Sequence, residues 1–109
     1  MSTAKGTINA GVCGFVTEVT ATCEDSQNVS FAVESTCEKI GTLGETLPTV
    51  DAYAEIGAGF DGQLLSTARS VLGGCCAGCV VPSGIFKTMQ VAAKLALPAP
   101  IGIQLERTN

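Results

Sequence analysis

The sequence predicts a single domain over residues 1–109, a two-layer α/β (α+β) sandwich with a small, mainly antiparallel sheet covered by about three helices. Three observations carry that expectation. Alternating runs rich in β-branched residues occupy the first third of the chain, and helical apolar spacing follows. Glycines and prolines punctuate the switch points between the segments.

Residues 7–23 read as extended structure, with Phe15, Thr17, Val19 and Ala21 alternating with Val16, Glu18, Thr20 and Thr22. Gly11 and Gly14 flank Cys13, which suggests a tight turn or a bulge there. Glu24-Asp25-Ser26-Gln27-Asn28 is a polar turn, and Val29, Phe31 and Val33 continue as a second strand, giving an N-terminal β-hairpin. Ser35-Thr36-Cys37-Glu38 has the form of a capping box, so a helix is expected from Ser35, with Ile40, Leu43 and Leu47 inward and Pro48 as its stop. A second helix is expected from Gln63 to Leu72, ended by Gly73-Gly74. The third runs from Ser83 to Ala96, with Ile85, Met89, Ala92, Ala93 and Ala96 on its apolar face. Pro98 and Pro100 end it, and Ile101, Ile103 and Leu105 read as a closing C-terminal strand.

Composition narrows the function. The net charge is −4 and the six basic residues are scattered, with only five aromatic side chains for base stacking, so nucleic acid is not an expected partner. The opening residues lack the apolar core of a signal peptide, and no apolar run reaches membrane-spanning length, so no membrane association is expected and a cytoplasmic location is. Hydrophobic residues make up 46% of the chain and charged residues 15%, little polar cover for a small monomer, which points to a homo-oligomer.

The chemistry lies in six cysteines and no histidine. Three of them crowd into Cys75-Cys76-Ala77-Gly78-Cys79, just before the helical pattern that follows Pro82. Helix N-termini favour anionic sulfur, and cytoplasmic cysteines bind metals or cycle redox state more often than they form stable disulfides. Centring the hairpin turn near Ser26 pairs residues whose numbers sum to about 52, which sets Cys23 opposite Val29 and Cys37 beside Phe15, close to Cys13. A strand rises roughly 3.3 Å per residue, so Cys13 and Cys23 lie up to about 33 Å apart, too far for one site. Cys23 is the odd one out.

The candidate ligands are therefore Cys13, Cys37, Cys76 and Cys79, the last two at the i, i+3 spacing that grips one ion or adjacent irons. Cys75 is either a fifth ligand or a neighbour whose side chain diverges. An all-sulfur set suits an iron–sulfur cluster, with zinc and copper(I) as alternatives. Electron transfer, or carriage or sensing of a metal or cluster, follows more naturally than substrate turnover, with a redox or metal-transfer protein as partner. The alternative is a dithiol (CxxC) thiol–disulfide redox protein, although the β-α-β lead-in of such enzymes is missing.

Cys13-Gly14-Phe15, Glu34-Ser35-Thr36-Cys37, Cys79-Val80-Val81-Pro82-Ser83 and Ala92-Ala93-Lys94-Leu95-Ala96-Leu97-Pro98 together resemble an uncharacterised family of small cysteine-containing proteins from anaerobic bacteria and archaea. The resemblance covers most of the chain and implies an anaerobic setting suited to oxygen-sensitive clusters. It brings no catalytic residue with it.

Two other motifs are set aside. Gly57-Ala58-Gly59-Phe60-Asp61-Gly62 is a literal G-x-G-x-x-G, but Asp51-Ala52-Tyr53-Ala54-Glu55-Ile56 before it makes a poor buried strand. It reads better as a flexible connection between helices. The carboxylates are spread singly, with no convergent pair for general acid and base catalysis.

Overall fold

The computed structural model describes residues 1–108, with the side chain of Cys75 outside the description. Strands β1 (Ser2–Asn9), β2 (Val16–Cys23), β3 (Asn28–Ser35) and β4 (Val50–Asp51) form one open antiparallel sheet in sequence order. Helices α1 (Glu38–Thr46), α2 (Ala52–Ala58), α3 (Gln63–Val71) and α4 (Val81–Ala92) complete a mixed α/β domain. No helix is long and apolar enough to cross a membrane.

The expected extended run over 7–23 is broken in the middle. Gly11 and Gly14 take φ of 81° and 76°, backbone that L side chains avoid, and Ala10 N–H donates to Phe15 C=O at 3.0 Å. The chain therefore doubles back, and the residues before the turn become β1, an extra strand. The β2–β3 hairpin has the expected register, with Thr17 opposite Ser35 and Cys23 opposite Val29. Its turn is closed by Asp25, whose carboxylate accepts from the N–H groups of Asn28 at 2.7 Å and Gln27 at 3.0 Å. These bonds, that of the Asn28 backbone foremost, hold the Asp25 carboxyl down to about 2.

Period-two alternation sends Ala4, Ile8, Thr17, Val19, Ala21, Cys23 and Val29 into the core and leaves Thr3, Lys5, Thr7, Glu18, Ser30 and Glu34 exposed. Helix α4 lies across β1 and β2, and α1 across β3, with α3 packed against both helices. The approach of α4 is close enough to require glycine. A Cβ on Gly84 would stand 2.5 Å from Ile8 Cδ1, and one on Gly6 would stand 2.5 Å from Thr88 Oγ1. Leu43, Leu64, Ile85 and Met89 fill the space between the layers.

Two helix ends differ from expectation by three or more residues and one strand is missing, each for a tertiary reason. Helix α1 starts at Glu38 rather than Ser35, because Ser35 ends β3 and its Oγ is taken up by Thr17 Oγ1 at 2.8 Å and Cys37 N–H at 3.1 Å. Helix α4 ends at Ala92 rather than Ala96. Lys94 turns left-handed (φ 64°) there, and Leu95 N–H reaches back to Gln90 C=O. The closing strand expected at Ile101–Leu105 does not form. Residues 97–108 are exposed coil, since no sheet edge of the same chain takes up their alternating pattern.

Candidate functional site

One row across the sheet, Ile8–Thr17–Ser35, marks the end where most of the thiols gather. Gly84 packs on Ile8, so the start of α4 lies over the same end. Beyond this row come the β1–β2 turn with Cys13, the first turn of α1 with Cys37, and the 3-10 turn Gly74–Gly78 that leads through Cys79 into α4. Cys23 lies in the opposite row, Ser2–Cys23–Val29. The six residues from Thr17 to Cys23 set these rows about 20 Å apart. Cys23 is 1% exposed and packs as a core residue.

Cys37 is the N-cap residue of α1, extended at φ −87°, ψ 122°. Its side chain caps nothing and rests half-buried against the core. Cys76 and Cys79 are also half-buried against the core, and their turn is closed by Cys79 N–H donating to Cys76 C=O at 3.1 Å. Lys39, in the first turn of α1, brings its Nζ to 3.6 Å from Cys76 Sγ. A cation there is a partner for a sulfur that carries negative charge, as a thiolate or as a metal ligand. Cys13, Cys23, Cys37, Cys76 and Cys79 are all free thiols.

Cys13 lies in the turn between β1 and β2, exposed beside the fully exposed Val12 at the hairpin tip. Cys37, Cys76 and Cys79 remain in the half-buried layer between sheet and helices. Among the described residues, no three Cys, Asp or Glu side chains are already drawn together as a metal-holding group. The Cys75 side chain, the possible fifth ligand, lies outside the described residues. Gly73, Gly74 and Gly78 frame the Cys76 turn, with open space around each.

Two residues that sequence reasoning passed over matter here. Lys39 is one. The other is Glu55, on α2 and 3% exposed, whose carboxylate accepts from Leu64 N–H at 2.6 Å and Gln63 N–H at 3.0 Å. It occupies the N-terminus of α3, where a phosphate would sit if the G-x-G-x-x-G bound a nucleotide. Gly62 serves this contact, since a Cβ there would stand 2.9 Å from Glu55 Oε1. The motif is a structural connection whose helix dipole is already answered by a carboxylate.

The chain belongs to a family of unknown function, DUF6951, whose model matches residues 4–105. That span runs from β1 into the exposed segment after α4 and includes all six cysteines. It agrees with the resemblance carried by the sequence motifs. No curated protein and no solved structure matches the chain.

Proposed function

We propose that the protein holds a thiolate-ligated metal centre, an iron–sulfur cluster in the first instance, and uses it for electron transfer or for carriage or sensing of the cluster. The observation that supports this reading is that free Cys37, Cys76 and Cys79 are each half-buried against the core, with the Lys39 ammonium at Cys76. Cys13 joins from the hairpin tip, whose turn rests on the left-handed Gly11 and Gly14. Binding draws the sulfurs together, and the glycines around Cys76 allow its turn to follow. Thiolates suit iron, zinc and copper(I), and a cluster would supply a one-electron change. Lys39 offsets part of the negative charge of such a sulfur set. A redox or metal-transfer protein would dock over this end of the sheet. Free thiols fit a reducing compartment, the cytoplasm.

The test is anaerobic reconstitution with ferrous iron and sulfide, followed by desalting, iron and sulfide analysis and a visible spectrum. Stoichiometric iron is expected for the native chain and for Cys23→Ser, with loss in Cys37→Ser, Cys76→Ser and Cys79→Ser. Equal retention in all four variants, or a colourless chain that also refuses zinc and copper(I), would refute the proposal.

A second reading is favoured by the free Cys76–Cys79 pair beside Lys39. As a dithiol it would pass two electrons and two protons to a substrate disulfide and close its own disulfide. Metal-free protein would then reduce a model disulfide. That activity would vanish in Cys76→Ser and Cys79→Ser but survive Cys37→Ser.

A further inference from the structure

Strand β1 is an open edge. Ala10 N–H bonds to Phe15 C=O, and counting back in twos makes Ile8, Gly6 and Ala4 the residues whose backbone groups face β2. The N–H and C=O groups of Thr3, Lys5 and Thr7 therefore point outward. Beside this edge runs a groove of about 610 Å³, floored by β1 and α4 and walled by residues 96–101 of the same chain. Among the described residues, no backbone hydrogen bond joins β1 to that wall.

An edge that alternates donors and acceptors is complemented by another extended backbone, not by a compact ligand. The apolar part of the groove, including Ile8 and Val91, suits alternating aliphatic side chains. Lys5 and Lys87 also line it, and among the described residues neither has a carboxylate within ion-pair distance. The segment Ile101-Gly102-Ile103-Gln104-Leu105-Glu106 offers period-two aliphatic residues and an acid, in a stretch that is neither helix nor strand in its own chain. It leaves them unused in its own chain, with Ile103 73% and Leu105 91% exposed. Residues 96–101 line the groove in their own chain, whereas Ile103 and Leu105 do not.

We infer that residues 101–106 of one copy add to the β1 edge of a second copy as a fifth strand. Glu106 then lies among Lys5 and Lys87. The exchange is reciprocal, so it closes as a two-fold dimer with both edges covered. This dimer is independent of the metal reading, because neither the groove nor the segment contains a cysteine.

Sedimentation equilibrium of the full chain tests it. A species of twice 11.0 kDa is expected for the native protein. Ile103→Asp/Leu105→Asp alters only exposed residues, and Thr7→Pro removes an N–H that faces the open edge. Each should raise the dissociation constant at least tenfold, about 1.4 kcal/mol. Mixing the two variants should restore dimers held by one exchange, since one supplies an intact edge and the other an intact segment. A monomer at all concentrations would overturn the proposal. So would protection of the Ile103 amide in a monomer, which would mean that the segment docks on its own chain. A dimer indifferent to the Ile103/Leu105 variant would place the interface elsewhere and would also overturn it.

Discussion

Replacing Glu55 with glutamine keeps the side-chain shape and removes only the charge and one acceptor. The native carboxylate is 3% exposed and accepts two backbone N–H groups, at 2.6 and 3.0 Å, at the first turn of α3. The glutamine oxygen can still serve one of them. Its NH₂ group then faces the other donor, which is left unsatisfied beside a nearly fully buried side chain. An unsatisfied buried donor costs about 1–3 kcal/mol, and a lost helix cap costs about 0.5–2 kcal/mol. The two figures describe the same lost bond, so the net loss is about 1–2 kcal/mol, the range they share. At about 4–8 °C per kcal/mol for a domain near this size, the melting temperature should fall by about 4–16 °C. Thermal and urea unfolding of the reduced, metal-free protein measure this, and amide exchange at Gln63 and Leu64 should quicken. A variant within about 0.5 kcal/mol of the native chain would show that the carboxylate is not the cap of α3.

Gly84→Ala should cost about 1–3 kcal/mol in urea unfolding, because the new methyl meets Ile8 Cδ1; adding Ile8→Val, which removes that atom, should recover part of the loss. Asp25 is held at about 2, chiefly by the Asn28 backbone N–H, against an unfolded value of about 3.9. Its contribution is complete above the unfolded value and lost as pH falls towards 2, so Asp25→Ala should flatten the acid limb of the stability profile between those values. Cys23→Ser places a hydroxyl in a site that is 1% exposed and should cost about 1–3 kcal/mol by chemical denaturation, with metal retention unchanged.

The β2–β3 register was legible because a polar turn between two alternating strands leaves a single pairing that buries one face, and that register separated Cys23 from the other thiols. The α3 pattern was equally plain, with glycines at both ends. Strand β1 was hidden because its inward residues are Ala4, Gly6 and Ile8. The first two are poor strand formers, and their small size answers the close approach of α4 rather than any local preference. Helix α2 was hidden by the acid at its core position, since Glu55 is buried for a partner on another helix. The segment Ile101–Leu105 carries a true strand pattern without a strand, because period two reports a half-buried face and says nothing of whose sheet buries it. At the candidate site, the cysteines could be sorted by strand arithmetic. Lys39 could not, because its contact with Cys76 spans 37 positions and depends on how α1 meets the turn before α4.

X-ray absorption at the metal edge of the anaerobically loaded, desalted protein tests the thiolate centre most directly. With no histidine in the chain, a shell of sulfur alone is expected, at about 2.3 Å from the metal. Its sulfur count should drop when Cys37, Cys76 or Cys79 is replaced by serine. A shell dominated by oxygen or nitrogen, or a sulfur shell unchanged by all three substitutions, would contradict a centre built from these cysteines.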